Sequence, residues 1–352
     1  MKYNTKELLT ACKQVVKVLP KRGLQPILDC LKLDGYSITG TDLDTYLSVR
    51  LVSSDDHDIE MPFILPGKRL VEILSKITTK TVDISNGDNI YVVDENANSF
   101  IIDNLDPTDY PDPNFHPDIP GIEIEGLGQH LTNINHFCAD YKLNGGSVIT
   151  GISLKDNALV ATDGNRLSLI DLTVDTTLDV IISCSTVTQL AGMLDKSSTL
   201  DLRVSDDKRL LKISANGWYA VTRLISGQFP QVKELFPKDT KQSITIKRSE
   251  LLSIVKHFKV SKAEKKSVIK FDGYKVTNAT DTITINQEMP LFGVNPNFLI
   301  EALEAFSSDE LTLGYNGQLQ PLIFTDSTSH KHLLMPIELK HANEFKKEVS
   351  NV

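Results

Sequence analysis

What this 352-residue sequence lacks narrows its class before any motif does. No apolar run approaches the roughly 18 residues that a membrane-spanning helix needs, so no membrane association is expected. The opening Met1–Lys6 runs into an amphipathic segment instead of an apolar stretch with a cleavage site, which predicts no secretory signal and a cytoplasmic location. The four cysteines, Cys12, Cys30, Cys138 and Cys184, form no CxxC and have no histidine pair beside them; they read as reduced, mostly buried thiols. There is no phosphate-cradling glycine loop with lysine, no nucleophile elbow, no HExxH and no zinc-spaced cysteine/histidine set. An enzyme is not expected, nor a cofactor, a catalytic residue or a bound metal. Positive charge is also in deficit: 37 Lys and Arg stand against 46 Asp and Glu, a formal net charge of −9. That balance argues against a general nucleic-acid coat but leaves room for a local basic surface.

One polar stretch keeps a second reading open. Asp55, His57 and Asp58 lie close together between two strand-like segments. A solvated turn accounts for them, and the alternative is a metal-dependent nucleic-acid hydrolase using these three side chains.

What is present is ordinary in composition, 40% hydrophobic and 24% charged, and long enough for two or three domains. The most informative stretch is Ala161–Ile170, ATDGNRLSLI. Apolar residues precede Asp163-Gly164, and Leu167 and Leu169 alternate with polar residues after it, which predicts two half-buried strands joined by a two-residue turn. The same pattern occurs earlier. Thr41-Asp42 and Leu47-Ser48 precede Thr162-Asp163 and Leu167-Ser168 by about 120 residues, and Pro111 precedes Pro230 by nearly the same interval. A fainter third copy, Tyr274–Asn286, lacks the Thr-Asp turn. Each copy carries a helical segment (Lys6–Val18, Gly128–Asp140, Ser249–Phe258), then strands, then a second helix (Gly67–Ile77, Thr186–Leu194, Asn297–Phe306). Paired strands close it: Ile90–Val93 with Phe100–Ile102, Leu210–Ile213 with Tyr219–Leu224, and Leu322–Thr325 with His332–Leu339. The fold class is therefore α+β, with two helices packed on antiparallel sheets in each of three tandem similar domains. Their expected bounds are 1–120, 121–240 and 241–339, followed by the charged tail Lys340–Val352.

The helix faces show where the positive charge goes. On the first helix Leu8, Leu9, Ala11, Cys12, Val15 and Val16 share a side, with Lys2, Lys6, Lys13 and Lys17 along its edge. On the second, Leu70, Ile73, Leu74 and Ile77 oppose Lys68, Arg69 and Lys76. A further basic cluster comprises Lys247, Arg248, Lys256, Lys259, Lys262, Lys265 and Lys266. These are either solubility charges or a surface that tracks phosphates without reading bases. The middle copy adds little charge, and the last helix carries Glu301 and Glu304 instead.

Taken together, ATDGNRLS at 161–168, GQFPQ at 227–231 and LMPIEL at 334–339 resemble the bacterial DNA polymerase III beta subunit family, the sliding clamps. Gln25–Leu28 and the Thr41-Asp42 turn are similar to its N-terminal domain, and the likeness runs in order to Leu339. The resemblance implies a DNA-clamp fold and a head-to-tail homodimer closed into a ring around double-stranded DNA. Basic helix faces would then meet the duplex, through Lys13, Lys17, Lys68, Arg69, Lys76, Lys256 and Arg22, which aligns with a basic position of the family. It further implies a non-catalytic processivity factor for DNA replication. Its groove would take clamp-binding peptides of the replicative polymerase, the clamp loader and other proteins. Carried onto this chain, the groove wall comprises Thr162, Gly164, Asn165, Arg166, Leu167, Pro230, Leu235, Asn295, Phe298, Leu322, Leu333, Leu334, Met335, Pro336 and Ile337. The chain departs from the family in having Asn165 where histidine is common, and Glu234 and Glu338 where basic residues are common. A repeat-built scaffold that never encircles DNA is a third reading of the same residues.

Overall fold

The computed structural model describes residues 1–21, 25–52, 62–87, 89–103, 105–116, 120–259, 267–328 and 330–339. Arg22, Asp55, His57, Asp58, Lys262, Lys265, Lys266 and Lys340–Val352 lie outside the described residues.

Antiparallel pairing organises the chain into two compact units. The first consists of Met1–Gln129 with Ser185–Ile225. Its eight-stranded sheet has the order Phe63–Pro66, Cys30–Leu33, Ser37–Thr41, Thr45–Arg50, Trp218–Arg223, Leu210–Ala215, Thr199–Val204, Ile122–Glu125. A second, four-stranded sheet joins Lys2–Asn4, Thr81–Asn86, Ile90–Asp94 and Ser99–Ile102. The other unit consists of His130–Cys184 with the residues from Ser226 onward. Its eight-stranded sheet repeats the plan: Val180–Ser183, Gly151–Lys155, Ala158–Thr162, Arg166–Asp171, His330–Leu334, Leu322–Thr325, Glu310–Tyr315, Gln242–Lys247. In both sheets the strand that follows the Thr-Asp turn pairs with a strand far away in sequence, Thr45 opposite Thr222 and Leu167 opposite Leu333. The expected α+β class, with helices on antiparallel sheets, is what the chain adopts.

Helix Thr5–Val15 illustrates how the pattern becomes packing. Asn4 caps it by accepting from the amides of Lys6 and Glu7. Leu8, Ala11, Cys12 and Val15 are buried, while Lys6 and Lys13 stay exposed. Gly40 lets the helix sit close to the sheet, because a Cβ there would stand 2.6 Å from Val15 Cγ1. Helix Gly67–Lys76 buries Leu70, Ile73 and Leu74 beside it. On Trp218–Arg223, the Trp218 indole is 7% exposed and donates from Nε1 to Ser197 Oγ at 3.2 Å.

Three elements differ from expectation. The helix expected over Gly128–Asp140 is Leu127–Ile134 followed by a 3-10 turn at Asn135–Phe137, and Asp140 instead caps the short helix Tyr141–Asn144. The strand expected to reach Leu339 stops at Leu334. Pro336 has no N–H to continue the ladder, and the Ile337 amide donates to Gly293 O at 2.8 Å instead. The faint third copy lies in a separate long hairpin, Ile269–Thr277 with Thr282–Val294. Contrary to expectation its turn does carry a Thr-Asp pair, Thr280-Asp281, and is closed by Asn278, whose side chain accepts from the amides of both.

Candidate functional site

The turn between Ala158–Thr162 and Arg166–Asp171 is a three-residue connection, Asp163–Asn165, where the sequence predicted two residues. The Asp163 side chain is the reason: its Oδ1 accepts from the amides of Asn165 at 2.9 Å and Arg166 at 3.1 Å. Thr162 Oγ1 accepts from Gly164 N at 3.1 Å and donates to Arg166 O at 2.7 Å. Gly164 has φ +87°, a conformation open to glycine at little cost. The earlier turn repeats three of these four bonds. Asp42 Oδ1 accepts from Asp44 N at 3.1 Å and Thr45 N at 2.8 Å, and Thr41 Oγ1 accepts from Leu43 N at 2.9 Å. There Leu43 holds φ +77° despite its side chain.

What the turns hold differs. In the first unit, Asp42 Oδ2 accepts from Gln189 Nε2 at 2.7 Å, and Thr45 meets the Thr186 and Thr222 hydroxyls at 3.1 and 3.4 Å. In the second, Arg166 occupies the position of Thr45 and is 7% exposed. Its Nε donates to Asp163 Oδ2 at 2.9 Å, its Nη1 to Glu301 Oε2 and its Nη2 to the His136 carbonyl. The guanidinium carbon lies 4.2 Å from the centroid of Phe298 and 5.2 Å from that of Phe137. Gln189 and Glu301 are each the sixth residue of their helices, Cys184–Leu194 and Pro296–Glu304. One position in the repeat has become a buried cation bridging two carboxylates.

In front of this brace lies an apolar strip. Strand alternation puts Thr162, Leu167, Leu333 and Ile323 in one cross-strand row. Leu167, Leu333 and Ile323 form a cluster with Val160, Leu169 and Val232, against which Phe229 and Phe236 pack half-buried. Leu235 and Met335 stand at its edge, 59% and 42% exposed. Met335 N donates to Asn165 O at 2.8 Å, which ties the strip's rim to the turn.

Of the residues expected in a groove wall, the structure brings Thr162, Leu167 and Leu333 into this strip, with Asn165 and Met335 at its rim. Gly164, Asn165 and Pro230 are exposed, and Pro336 and Ile337 are half-buried in the segment that follows the last strand. Leu334 and Leu322 pair with each other on the opposite face, 1% and 0% exposed. Asn295 is a helix cap, accepting from Asn297 N and Phe298 N. Phe298 stacks on Arg166 behind the turn. Sequence reasoning missed Val160, Leu169, Ile323, Val232, Phe229 and Phe236 as strip residues. Period-two counting from Leu167 would have found Leu169 and its partner Val160; the others carry no local signal.

Behind the sheet lie three histidines, His330 and His332 buried and His130 half-buried. His332 is fully buried between Phe137, at 4.8 Å, and Phe306, at 4.3 Å, and neither ring nitrogen has a hydrogen-bond partner among the described residues. Burial pushes its pKa down to about 3 and that of His130 down to about 4, with neighbouring His330 adding to both. His330 is lowered by burial against an opposing pull from Asp326.

The expected DNA-facing residues fall into two groups. Lys13, Lys17 and Lys68 are exposed and have no ion-pair partner among the described residues. Arg69 and Lys76 share the Glu72 carboxylate at 3.3 and 2.8 Å, and Lys256 pairs with Glu304 at 2.8 Å. Much of that second group's charge is therefore offset locally.

Known proteins resemble this chain in sequence and in fold. Residues 1–115 match the family model of the DNA polymerase III beta subunit, N-terminal domain, and residues 138–231 match that of its central domain. A beta sliding clamp of Chlamydia pneumoniae is 22% identical, covering 95% of this chain and 97% of its own length. One from Bacillus subtilis is 23% identical over 94% of this chain and 97% of its own. The crystal structure of the Bacillus subtilis DNA polymerase sliding clamp superposes with TM-score 0.81 at 21% identity, covering 96% of this chain and 98% of that one. The chain belongs to the bacterial DNA polymerase III beta subunit family, the sliding clamps.

Proposed function

We infer that this chain is a DNA polymerase processivity factor, a clamp without catalytic activity of its own. Its division into domains at 1–120, 121–240 and 241–339 follows the repeat. Two copies assemble head to tail in the cytoplasm into a ring around duplex DNA, held by topology and by weak phosphate contacts from Lys13, Lys17 and Lys68. The apolar strip of the second unit is the groove for short peptides of the replicative polymerase, the clamp loader and other partners. The observation that carries this reading is the pairing of that strip with a rim of exposed Leu235 and Met335. Buried aliphatic floor with an adaptable methionine at its edge is the surface a short apolar peptide needs.

Two experiments test it. The chain, loaded on circular plasmid, is retained and is released when the plasmid is linearised; equal retention on both forms overturns the ring. Leu235→Asp with Met335→Asp, both on exposed side chains that the fold can spare, weakens polymerase-peptide binding by at least about tenfold, roughly 1.4 kcal/mol. The dimer mass in solution stays unchanged. Binding that survives both substitutions moves the groove elsewhere.

A further inference from the structure

Two of the four cysteines meet although 45 residues separate them in the chain. The Ala139 amide donates to Ile149 O at 2.9 Å, and Gly151, two residues on, pairs with Ser183 in the sheet. Backbone bonding thus brings together the segments that carry Cys138 and Cys184, and the two thiols share a hydrogen bond. Both side chains are partly exposed, while Cys12 and Cys30 are buried. Cys184 is also the first residue of the helix Cys184–Leu194, whose N-terminal end favours negative charge.

We propose that Cys138 and Cys184 form an oxidation site, converted by hydrogen peroxide to an intrachain disulfide and restored by dithiols. The Cys184 thiolate attacks a peroxide oxygen, breaking the O–O bond; sulfur becomes sulfenic acid and the other oxygen leaves as water after taking a proton. The Cys138 sulfur then attacks the Cys184 sulfur, the S–S bond forms, and the sulfenic oxygen leaves as a second water. Two thiols lose two electrons and two protons, and one peroxide is reduced to two waters.

The division of roles follows from the environment. The hydrogen bond from Cys138 holds the Cys184 thiol below its ordinary range, with burial pulling the other way. The same bond, together with burial, holds the Cys138 thiol well above it. Burial pushes Cys12 up to about 12 and Cys30 up to about 11, which leaves both as poor nucleophiles. The site also has a structural neighbour of consequence. Cys138 directly follows His136 and Phe137, whose carbonyl and ring hold Arg166 behind the hairpin turn. Closing the pair brings two sulfurs from hydrogen-bonding distance to about 2.05 Å, and so draws on that brace.

The reduced full-length chain treated with dilute hydrogen peroxide is followed by intact-mass and peptide-mapping spectrometry. The expected result is a loss of about 2 Da, a cross-linked peptide joining Cys138 to Cys184, and full reversal by dithiothreitol. In Cys138→Ser the reaction stops at a dimedone-reactive Cys184, and in Cys184→Ser the remaining Cys138 stays unmodified. Cys12 and Cys30 remain alkylatable only after denaturation in every case. The proposal is overturned if the wild-type chain gains oxygen on Cys184 without losing 2 Da, if its disulfide is intermolecular, or if Cys12 or Cys30 oxidises as fast. The wild-type mass change decides alone should either serine variant fail to fold.

Discussion

The two turns differ by exchanges that can be reversed. Arg166→Thr gives the second turn the residue that the first has at Thr45, and Glu301→Gln gives it the amide of Gln189. Arg166→Thr alone leaves Asp163 and Glu301, whose side chains are 15% and 22% exposed, facing each other without a cation. Removing one partner of such a buried pair costs about 3–5 kcal/mol. Glu301→Gln alone takes one of two carboxylates from Arg166 and costs about 1–2 kcal/mol, the scale of a hydrogen bond to a charged group. In the double variant the amide introduced by Glu301→Gln can donate directly to Asp163, as Gln189 does to Asp42 at 2.7 Å. What stays lost is the stacking of the guanidinium on Phe298 and Phe137, about 1 kcal/mol, and some packing. The double variant should therefore cost about 2–3 kcal/mol, less than Arg166→Thr alone and about 2–4 kcal/mol less than the sum of the singles. Amide hydrogen exchange across Arg166–Asp171 and His330–Leu334 reads the loss locally, for all four members of the cycle. Effects that add within about 0.5 kcal/mol, or a double variant worse than Arg166→Thr, would refute the equivalence of the two networks.

Two further outcomes are expected. His332 is held neutral in the fold, so the unfolded chain takes up its proton first as pH falls below 6.5. Its contribution to stability is complete above that pH and declines toward about 3, by about 1.4 kcal/mol per pH unit and thus about 2 kcal/mol by pH 5. His332→Phe keeps a ring between Phe137 and Phe306 and should flatten that acid limb in urea titrations at pH 7 and 5; an unchanged limb contradicts the assignment. Gly164→Ala should destabilise the second unit by about 1 kcal/mol, purely through backbone strain, because nothing lies within 4 Å of the added Cβ. A stabilised variant would mean that the positive φ is not required.

How much was legible depended on the range of each interaction. Local periodicity located the helix Thr5–Val15 and its inward Leu8, Ala11, Cys12 and Val15, but not the early end of the helix expected over Gly128–Asp140 nor the caps at Asn4 and Asn295. The Thr-Asp repeat revealed the common plan, and three side-chain bonds to backbone amides recur in both turns. Alternation along Arg166–Asp171 fixed which face Leu167 takes. It also excludes Leu334 from that face, since Arg166 and Leu334 are opposite one another and Leu333 faces Leu167. The resemblance placed both leucines in one wall because a motif carries no face. Arg166 with Glu301 was not legible: the partners are 135 positions apart and each looks like an ordinary surface charge. The basic stripe was read correctly as exposed, but Glu72 between Arg69 and Lys76 offsets it at helical spacing.

The chain holds a single tryptophan, and it is Trp218, on the strand that pairs with Thr45–Arg50. Its fluorescence is therefore a built-in optical probe of the first unit only, quenched and red-shifted when that sheet opens and blind to the second. Far-UV dichroism, by contrast, sums both. Denaturation followed by the two signals together separates the melting of one unit from that of the other without any label, and each variant above can be assigned to the half of the chain it disturbs.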